Sequence, residues 1–244
     1  MLNDDIPVGR LLTRREAVAL LGFAVPAGSA AHVLGQPSAP ARDAGLMPCV
    51  VQPEQTEGPY FVDRMLNRSD IRTDPKTGAV SAGVPLWITF QVSRLGGDRS
   101  CTPLAGAHVD LWQCDARGIY SGVQDPGFNT TGEQFLRGYQ VTDADGRVSF
   151  RTIYPGWYRG RAVHVHFKVR TDPAAAAGQE FTSQLYFDES LNDRVLGREP
   201  YSVGAQRTRN EADRIFRNEG GAQLVLSLRE RERGYAGEFA IAMT

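Results

Sequence analysis

The chain has 244 residues, of which 41% are hydrophobic and 23% are charged. This composition is typical of one folded domain and excludes disordered, collagenous and coiled-coil proteins. The net charge is −1 and the charges are interspersed, so neither nucleic-acid binding nor electrostatic membrane attachment is expected.

The N-terminal segment carries an export pattern. Residues 13–31 begin with the pair Arg14 and Arg15 and continue with a mostly apolar stretch that glycine and proline interrupt. The stretch is too short and too broken to cross a bilayer. It resembles a twin-arginine signal peptide, and an ordinary amphipathic first helix is the alternative. Small residues suited to cleavage follow it, at Ala30, Ala31 and Ala41.

Export has consequences for domain organisation and for cysteine chemistry. We expect residues 1–41 to be a signal peptide and linker, and residues 42–244 to form one exported domain without stable membrane association. If the leader is misread, the protein is cytoplasmic. In an oxidising compartment the favoured disulfide is Cys101–Cys114, which leaves Cys49 over, and three separate thiols are the alternative.

Short strands follow one another from residue 84 onward. Residues 86–92 alternate apolar and polar or aromatic side chains, the period of two that indicates a strand with one buried face. Turn clusters separate the later segments, and only Asn210–Arg217, with an asparagine cap, is predicted to be helical. Seven or so strands with few short helices predict an all-β fold, a β-sandwich. The further predicted strands are Val109–Trp112, Val148–Arg151, Val163–Val169, Gln184–Phe187, Gln223–Leu228 and Glu238–Ala242.

A histidine pair is the clearest candidate site. Side chains two apart on a strand point to the same face, so His164 and His166 can bind one metal ion. Two histidines on a solvated strand face are the alternative. The identity of the metal depends on the further ligands. With His108 as the third ligand the site would be a zinc site of the three-histidine type. An Fe(II) site with two histidines and a carboxylate is not favoured, because the strand offers no carboxylate. Tyrosines are the remaining candidates, and they occur in two settings: Tyr120 after a strand, and Tyr154 and Tyr158 just before the histidine pair.

Four segments together resemble the intradiol ring-cleavage dioxygenase family. Their order and spacing are specific, and the resemblance covers about residues 49–242. It implies a β-sandwich catalytic core and an oxidoreductase of aromatic-compound catabolism that adds both atoms of O2 to a catechol, giving a cis,cis-muconate. The segments are PEQTEGPYFVD (53–63), CTPLAGAHVDLWQCDARGIYSG (101–122), FLRGYQVTDADGRVSFRTIYPGWYRGRAVHVHFKV (135–169) and TSQLYF (182–187).

The resemblance also implies the site residues. One non-haem Fe(III) per chain would be held by Tyr120, Tyr158, His164 and His166. Phenolate oxygens are hard anions that favour Fe(III) over Fe(II), which supports this ligand set. Of these ligands, Tyr158 would leave the metal and act as a base. Two further residues would belong to the active site: Arg161, which stabilises negative charge on the ring, and Gln184.

Departures from the family pattern bear on substrate and assembly. The segment between Cys49 and Val84 is too short for the helical N-terminal domain of cytoplasmic catechol dioxygenases, so the chain resembles a short exported branch, for which a homo-oligomer is one assembly to consider. The polar segment 122–134 follows Tyr120 and is expected at the pocket mouth. No second basic residue accompanies Arg161 in these segments at a place suited to a substrate carboxylate.

Two other functional classes stay open on the sequence alone. The strand pattern around Val109–Trp112 is also similar to transthyretin-like and carbohydrate-binding sandwiches, which would make the protein a binding module without a metal. The second is a zinc hydrolase that uses His108, His164 and His166. The colour of the purified protein distinguishes the three classes. An iron–tyrosinate protein is red-brown, whereas a binding module without a metal and a zinc hydrolase are colourless.

Overall fold

Strands dominate the computed structural model, which describes residues 49–172, 178–201 and 206–244. All of these residues belong to one compact unit, Met47–Thr244. The signal peptide and linker predicted for residues 1–41 lie outside the described residues. Within the described ranges, no helix is long and apolar enough to cross a membrane.

The elements are short and are joined by loops. In chain order the strands are β1 (Pro85–Leu95), β2 (Cys101–Pro103), β3 (His108–Trp112), β4 (Gln124–Asp125), β5 (Phe128–Asn129), β6 (Arg137–Val141), β7 (Arg147–Ile153), β8 (His164–Arg170), β9 (Glu180–Tyr186), β10 (Leu228–Arg231) and β11 (Gly234–Met243). The helices are α1 (Glu189–Leu196) and α2 (Arg214–Asn218), with 3-10 turns at Asn210–Ala212 and Gly221–Leu224.

The strands form two main sheets. The first has the order β10-β11-β1-β2, with β7 also paired to β1, and the second has the order β6-β3-β8-β9. Strand β1 is parallel to β11 and antiparallel to β7. The alternation predicted for residues 86–92 is confirmed, because every second side chain of β1 from Leu86 to Val92 is 0% exposed.

The two sheets pack face to face through apolar side chains. The buried side of β1 and the residues Val165, Phe167 and Val169 of β8 belong to one hydrophobic cluster. Phe90 of the first sheet lies against Phe167 of the second, with ring centroids 5.2 Å apart. Burial of these side chains stabilises the sandwich, and the predicted all-β sandwich with few short helices is confirmed.

The helical predictions need correction. Helix α1 is capped by Asp188, which accepts a hydrogen bond from the amide of Leu191 at 3.0 Å, and was not expected. The helix predicted for Asn210–Arg217 is divided into a 3-10 turn and α2. The cap of α2 is Asp213, whose carboxylate accepts from Ile215 N at 2.8 Å. An aspartate two residues before Ile215 therefore starts the helix, because it satisfies the free amides of the first turn.

The strand predicted at Gln223–Leu228 is also wrong. Its first part lies in the 3-10 turn Gly221–Leu224, and β10 begins only at Leu228. The apolar side chains of Leu224 and Leu226 in this segment are nevertheless buried. Short apolar runs bury equally well in a turn and in a strand, so periodicity does not distinguish the two.

The disulfide differs from the favoured pairing. It joins Cys49 to Cys101, and Cys114 is a free, buried thiol. Cys101 begins β2 in the first sheet, whereas Cys114 follows β3 in the second, where it packs with Trp112 and Tyr120. The two cysteines that are close in sequence thus lie beside different sheets.

Residues 53–67, here named the cover segment, run across the second sheet on the side away from the core. The segment begins beside β9, where the amide of Gln55 donates to the carbonyl of Thr182 at 2.9 Å. It crosses β3, where Phe61 packs on Trp112 with ring centroids 4.9 Å apart, and ends beside β6. The part of this outer face around Trp112 and His166 is therefore buried, which makes it a place where polar side chains can meet away from water.

Candidate metal centre

Strand β8 divides its side chains between the core and the covered face. His164 and His166 lie on the covered face and are 2% and 1% exposed. Gly58 of the cover segment has φ +73°, and a Cβ there would lie 3.4 Å from Cε1 of His166. Glycine suits this position because it adopts a positive φ without strain and adds no bulk over the imidazole.

Four donor atoms converge beside β8. The Nε2 atom of His164 is 3.0 Å from Nε2 of His166. It is also 3.4 Å from the hydroxyl oxygen of Tyr120 and 3.4 Å from that of Tyr158. The structure thus brings together four residues that are up to 46 positions apart along the chain, from β8 and from two separate loops.

The two tyrosine loops are held against each other by a turn and a glycine. Asp115 accepts hydrogen bonds from the amides of Arg117 and Ile119 at 2.8 and 2.9 Å, which fixes the turn before Tyr120. Gly118 has φ +86°, and a Cβ there would be 2.2 Å from the carbonyl oxygen of Trp157. Only glycine permits this approach, so Gly118 sets how closely the loop of Tyr120 meets the loop before Tyr158.

Aromatic side chains enclose the phenol of Tyr120. Tyr60 of the cover segment stacks on it with ring centroids 4.5 Å apart, and the ring of Tyr120 is 0% exposed. The hydroxyl of Tyr60 donates to Asp125 at 2.8 Å. Asp125 ends β4, so the segment 122–134 contains a hairpin attached to the same aromatic group.

Burial keeps all four donor residues neutral in the absence of a cation. It lowers the pKa of His164 to about 3, with a further contribution from the positive charge of Arg161, and lowers the pKa of His166 well below its ordinary value. Burial raises the pKa of Tyr158 to about 12 and raises that of Tyr120 well above its ordinary value. The imidazoles therefore present lone pairs at neutral pH, whereas the phenols keep their protons until a cation displaces them.

This donor set fits a hard, highly charged cation. Nδ1 of His164 donates to the carbonyl of Ala162 at 2.7 Å, which leaves Nε2 free to act as a ligand. Nδ1 of His166 has no hydrogen-bond partner among the described residues. Two phenolates formed on binding would cancel part of a 3+ charge and lower the cost of burying it. The residues present are therefore compatible with the Fe(III) site that the sequence implies.

Arg161 and Gln184 lie beside this group. Nε of Arg161 donates to Asp213 at 2.9 Å, and its NH2 group donates to Oε1 of Gln184. The side chain of Arg161 is 17% exposed, and that of Asp213 is 1% exposed. Asp213 also accepts from the amide of Ala162 at 2.8 Å. Sequence reasoning missed Asp213, although its place two residues before an apolar pair is a helix-cap signal.

The structure does not bring His108 to the histidine pair. In the register of β3 and β8, His108 lies opposite Arg170, whereas Trp112 lies opposite His166. Four residues along a strand correspond to roughly 13 Å. His108 instead stacks on Tyr139, with ring centroids 4.8 Å apart. Within the described residues no group of three or more His, Cys, Asp and Glu side chains could hold a metal ion, which removes the three-histidine zinc site.

One register row crosses all four strands of the second sheet at the site. Arg137 of β6 pairs with Trp112 of β3, Trp112 with His166 of β8, and His166 with Gln184 of β9. Arg137 and Trp112 carried no functional prediction, although both belong to the segments that resemble the dioxygenase family. Their place in the row follows from strand pairing, which a single sequence does not reveal.

Comparison with known sequences identifies relatives over most of the described chain. A family model described as Dioxygenase matches residues 56–220. The chain is 31% identical over 190 residues to a chlorocatechol 1,2-dioxygenase of Pseudomonas sp. (strain P51), covering 69% of this chain and 66% of that one. It is 31% identical over 155 residues to catechol 1,2-dioxygenase 1 of Acinetobacter lwoffii, covering 53% and 45%. The match thus spans about half to two thirds of the length of these relatives.

Solved structures show the same fold. An intradiol ring-cleavage dioxygenase from Tetranychus urticae is 31% identical and superposes with a TM-score of 0.67, covering 80% of this chain and 94% of that one. The dioxygenase domain of a dioxygenase carbohydrate-binding protein fusion from Streptomyces sp. SirexAA-E is 29% identical, with a TM-score of 0.55 and coverage of 80% and 98%. With its sandwich and its matched segments, the chain belongs to the intradiol ring-cleavage dioxygenase family.

Proposed function

We propose that this protein is an Fe(III)-dependent intradiol dioxygenase that cleaves catechols with O2 to cis,cis-muconate-type products. The convergence of four donor atoms beside β8 carries the proposal. Tyr120, Tyr158, His164 and His166 would hold one Fe(III) per chain. Bound Fe(III) would supply a Lewis acid to which a catechol dianion could bind through both oxygens, and it would draw electron density from the ring.

The two tyrosines differ in a way that supports different roles. Tyr120 is 0% exposed, stacks on Tyr60, and has its carbonyl oxygen bonded by the hydroxyl of Thr130 at 2.6 Å. Tyr158 is partly exposed. We therefore assign Tyr120 as the fixed ligand and Tyr158 as the ligand that moves aside and accepts a catechol proton.

Arg161 and Gln184 are held in place for the reacting ring. The guanidinium of Arg161 is fixed by Asp213 and by Gln184, and the amide nitrogen of Gln184 donates to the carbonyl of Thr56 at 3.0 Å. A cation fixed in a mostly buried place stabilises charge more strongly than a mobile one in water. Arg161 would therefore stabilise the negative charge that develops on the ring carbon attacked by O2.

We further propose that the substrate is a catechol that needs no carboxylate substituent. The relatives are named catechol, chlorocatechol and protocatechuate dioxygenases. Because these names differ in substrate, they do not indicate which substrate this protein uses. Arg161, a basic residue of the matched segments that lies beside the donor group, is engaged by Asp213 and Gln184. This arrangement favours recognition through the two catechol hydroxyls rather than through a carboxylate.

The test is product analysis with the iron-loaded protein. One O2 should be consumed for each catechol, and the product should be cis,cis-muconate, detected by its ultraviolet absorbance and by mass. Protein stripped with a chelator and protein loaded with Zn²⁺ are the controls, and both should be inactive. A yellow semialdehyde would contradict intradiol cleavage, and equal activity of the zinc-loaded protein would contradict the dependence on iron.

We also propose that the protein is exported by the twin-arginine route. The Cys49–Cys101 disulfide supports this localisation, because disulfides persist mainly in oxidising compartments. Replacement of Arg14 and Arg15 by lysine should trap the precursor in the cytoplasm, and the mature chain should begin between residues 31 and 42. Undiminished secretion of the double variant would contradict the proposal.

A further inference from the structure

Arg137 is a buried cation whose hydrogen bonds all go to neutral oxygens. The residue is 3% exposed. Its Nε donates to Oγ of Ser121 at 2.8 Å, its NH2 group donates to the carbonyl of Ser121, and its NH1 group donates to the carbonyl of Tyr60 at 3.3 Å. A buried charge is costly unless an opposite charge accompanies it. In the part of the chain that the structure describes, no carboxylate forms an ion pair with Arg137.

Two other buried or half-buried arginines of the protein have such partners. Arg170 pairs with Asp110 at 2.7 Å, and Arg161 pairs with Asp213 at 2.9 Å. Arg137 differs from these two arginines, and its burial without a carboxylate partner calls for a physical reason. Burial lowers its pKa to about 10, so the guanidinium still carries its positive charge at neutral pH.

The position of Arg137 directs its charge toward the metal centre. It occupies the register row of Trp112 and His166, and the indole of Trp112 lies between them. The residue that it holds through two hydrogen bonds, Ser121, directly follows Tyr120.

We propose that Arg137 is the built-in counter-charge of the centre and that its electrostatic partner is the phenolate of Tyr120. The inference rests on the proposed function, because that phenolate forms when the cation displaces the phenol proton. Arg137 also holds the backbone on both sides of the aromatic stack, at Tyr60 and at Ser121. It is a positioning residue of the centre and contacts neither substrate nor metal.

The charge of Arg137 has a spectroscopic consequence. A nearby positive charge stabilises the filled orbitals of a phenolate, so it raises the energy of the tyrosinate-to-iron charge-transfer band. Arg137→Met removes the charge, and the visible band should move to longer wavelength at full iron occupancy. Arg137→Lys keeps the charge but not the forked geometry, and its band should stay near that of the wild type even where hydrogen bonds to Ser121 are lost.

A matched control separates this effect from the general loss of a buried arginine. Arg207 has a side chain that is 9% exposed and pairs with Glu189 and Asp193 away from the four donor residues. Arg207→Met should leave the band unchanged. If Arg137→Met does not fold, Arg137→Gln supplies the same comparison, because it is neutral and keeps an N–H donor for Ser121.

Metal analysis and catechol turnover of the wild type distinguish failure of this inference from failure of the proposed function. A wild-type protein that neither binds iron nor cleaves catechol contradicts the proposed function. A wild-type protein that does both, with the band at the same wavelength in the neutral variants and in Arg137→Lys, overturns the role of Arg137 alone. A shift to longer wavelength that occurs in the neutral variants but not in Arg137→Lys supports the proposed role of Arg137.

Discussion

The indole of Trp112 lies face to face with the imidazole of His166, with ring centroids 4.9 Å apart and planes inclined by 9°. The two residues are register partners on β3 and β8, so the contact follows from strand pairing. Both are 1% exposed. Since Nδ1 of His166 has no hydrogen-bond partner among the described residues, we infer that the stacked indole helps to fix the orientation of this ring.

Replacement of Trp112 tests that role. Trp112→Leu removes the flat surface, and the affinity for Fe(III) should fall by about 10–100-fold, as for other groups that orient metal ligands. Trp112→Phe keeps an aromatic plane and should retain most of the affinity. Competition with a chelator measures the affinity, and thermal unfolding of both variants monitors stability. Equal affinities of the two variants would show that stacking is unimportant.

The ligand assignment predicts different outcomes for two histidines. His164→Ala should abolish both bound iron and visible colour, because its Nε2 is the atom that lies close to the other three donor atoms. His108→Ala is the matched control, since His108 stacks on Tyr139 away from the site, and it should keep both. Metal analysis and visible absorption spectra check the pair. Full iron occupancy in the His164 variant would refute the assignment.

The fold was largely predictable because alternation of apolar residues reflects the physics of a sandwich directly. Residues 86–92 show the period of two that their burial requires. Elements of eight residues provide too little periodicity to be predicted reliably: helix α1 was missed, and the helix predicted over Asn210–Arg217 proved to be a 3-10 turn followed by a shorter helix. The Cys49–Cys101 disulfide was missed for another reason: it joins positions 52 apart in sequence, and only the fold brings them together.

The site shows the same division between local and non-local information. His164 and His166 are two apart on one strand, so elementary strand geometry placed them on one face. Tyr120 and Tyr158 came from a family resemblance, and their convergence depends on the close approach at Gly118, which no spacing in the sequence reports. Asp213 and Arg137 act through other residues and are not metal ligands. A search of the sequence for ligand patterns therefore does not find them.

Arg161 is expected to act in catalysis rather than in metal binding. Arg161→Lys keeps the charge but loses the planar fork that contacts Asp213 and Gln184 together. Bound iron should be unchanged, whereas kcat should fall by about 10²–10³-fold. Steady-state kinetics beside metal analysis check this expectation. Near-normal turnover would remove Arg161 from the mechanism.

Asp213 should contribute a pH-dependent part of the stability. Burial alone would raise the pKa of its carboxyl, but the amide of Ala162 and the charge of Arg161 outweigh burial and hold the pKa below its ordinary value of 3.8. Because its pKa is lowered, the Asp213 carboxylate contributes fully to the free energy of unfolding above pH 3.8. This contribution is lost as the pH falls through the pKa of the folded state. Asp213→Ser keeps a helix cap but not the charge.

The difference in free energy of unfolding between wild type and Asp213→Ser should therefore be constant from pH 7 to about pH 5 and shrink below about pH 4. Denaturant unfolding of both proteins at each pH measures this difference, and effects common to both proteins cancel. A difference that stays constant into strong acid would show that the carboxylate charge is not the source.

The last prediction concerns the substrate. A site built to hydrogen-bond a polar group of its substrate rejects an analogue that lacks the group by about 10⁴–10⁵-fold, and we take the same scale for a site that binds a carboxylate. Here the guanidinium of Arg161 is engaged by Asp213 and Gln184, and that of Arg137 by Ser121 and Tyr60. Catechol should therefore be cleaved. Its kcat/KM should be within about 10⁴-fold of the kcat/KM for protocatechuate. Parallel assays with both substrates decide the point, with Arg161→Lys as the control that should slow both reactions to a similar extent. Turnover of protocatechuate alone would show that the protein has a carboxylate site and that the proposed tolerance is wrong.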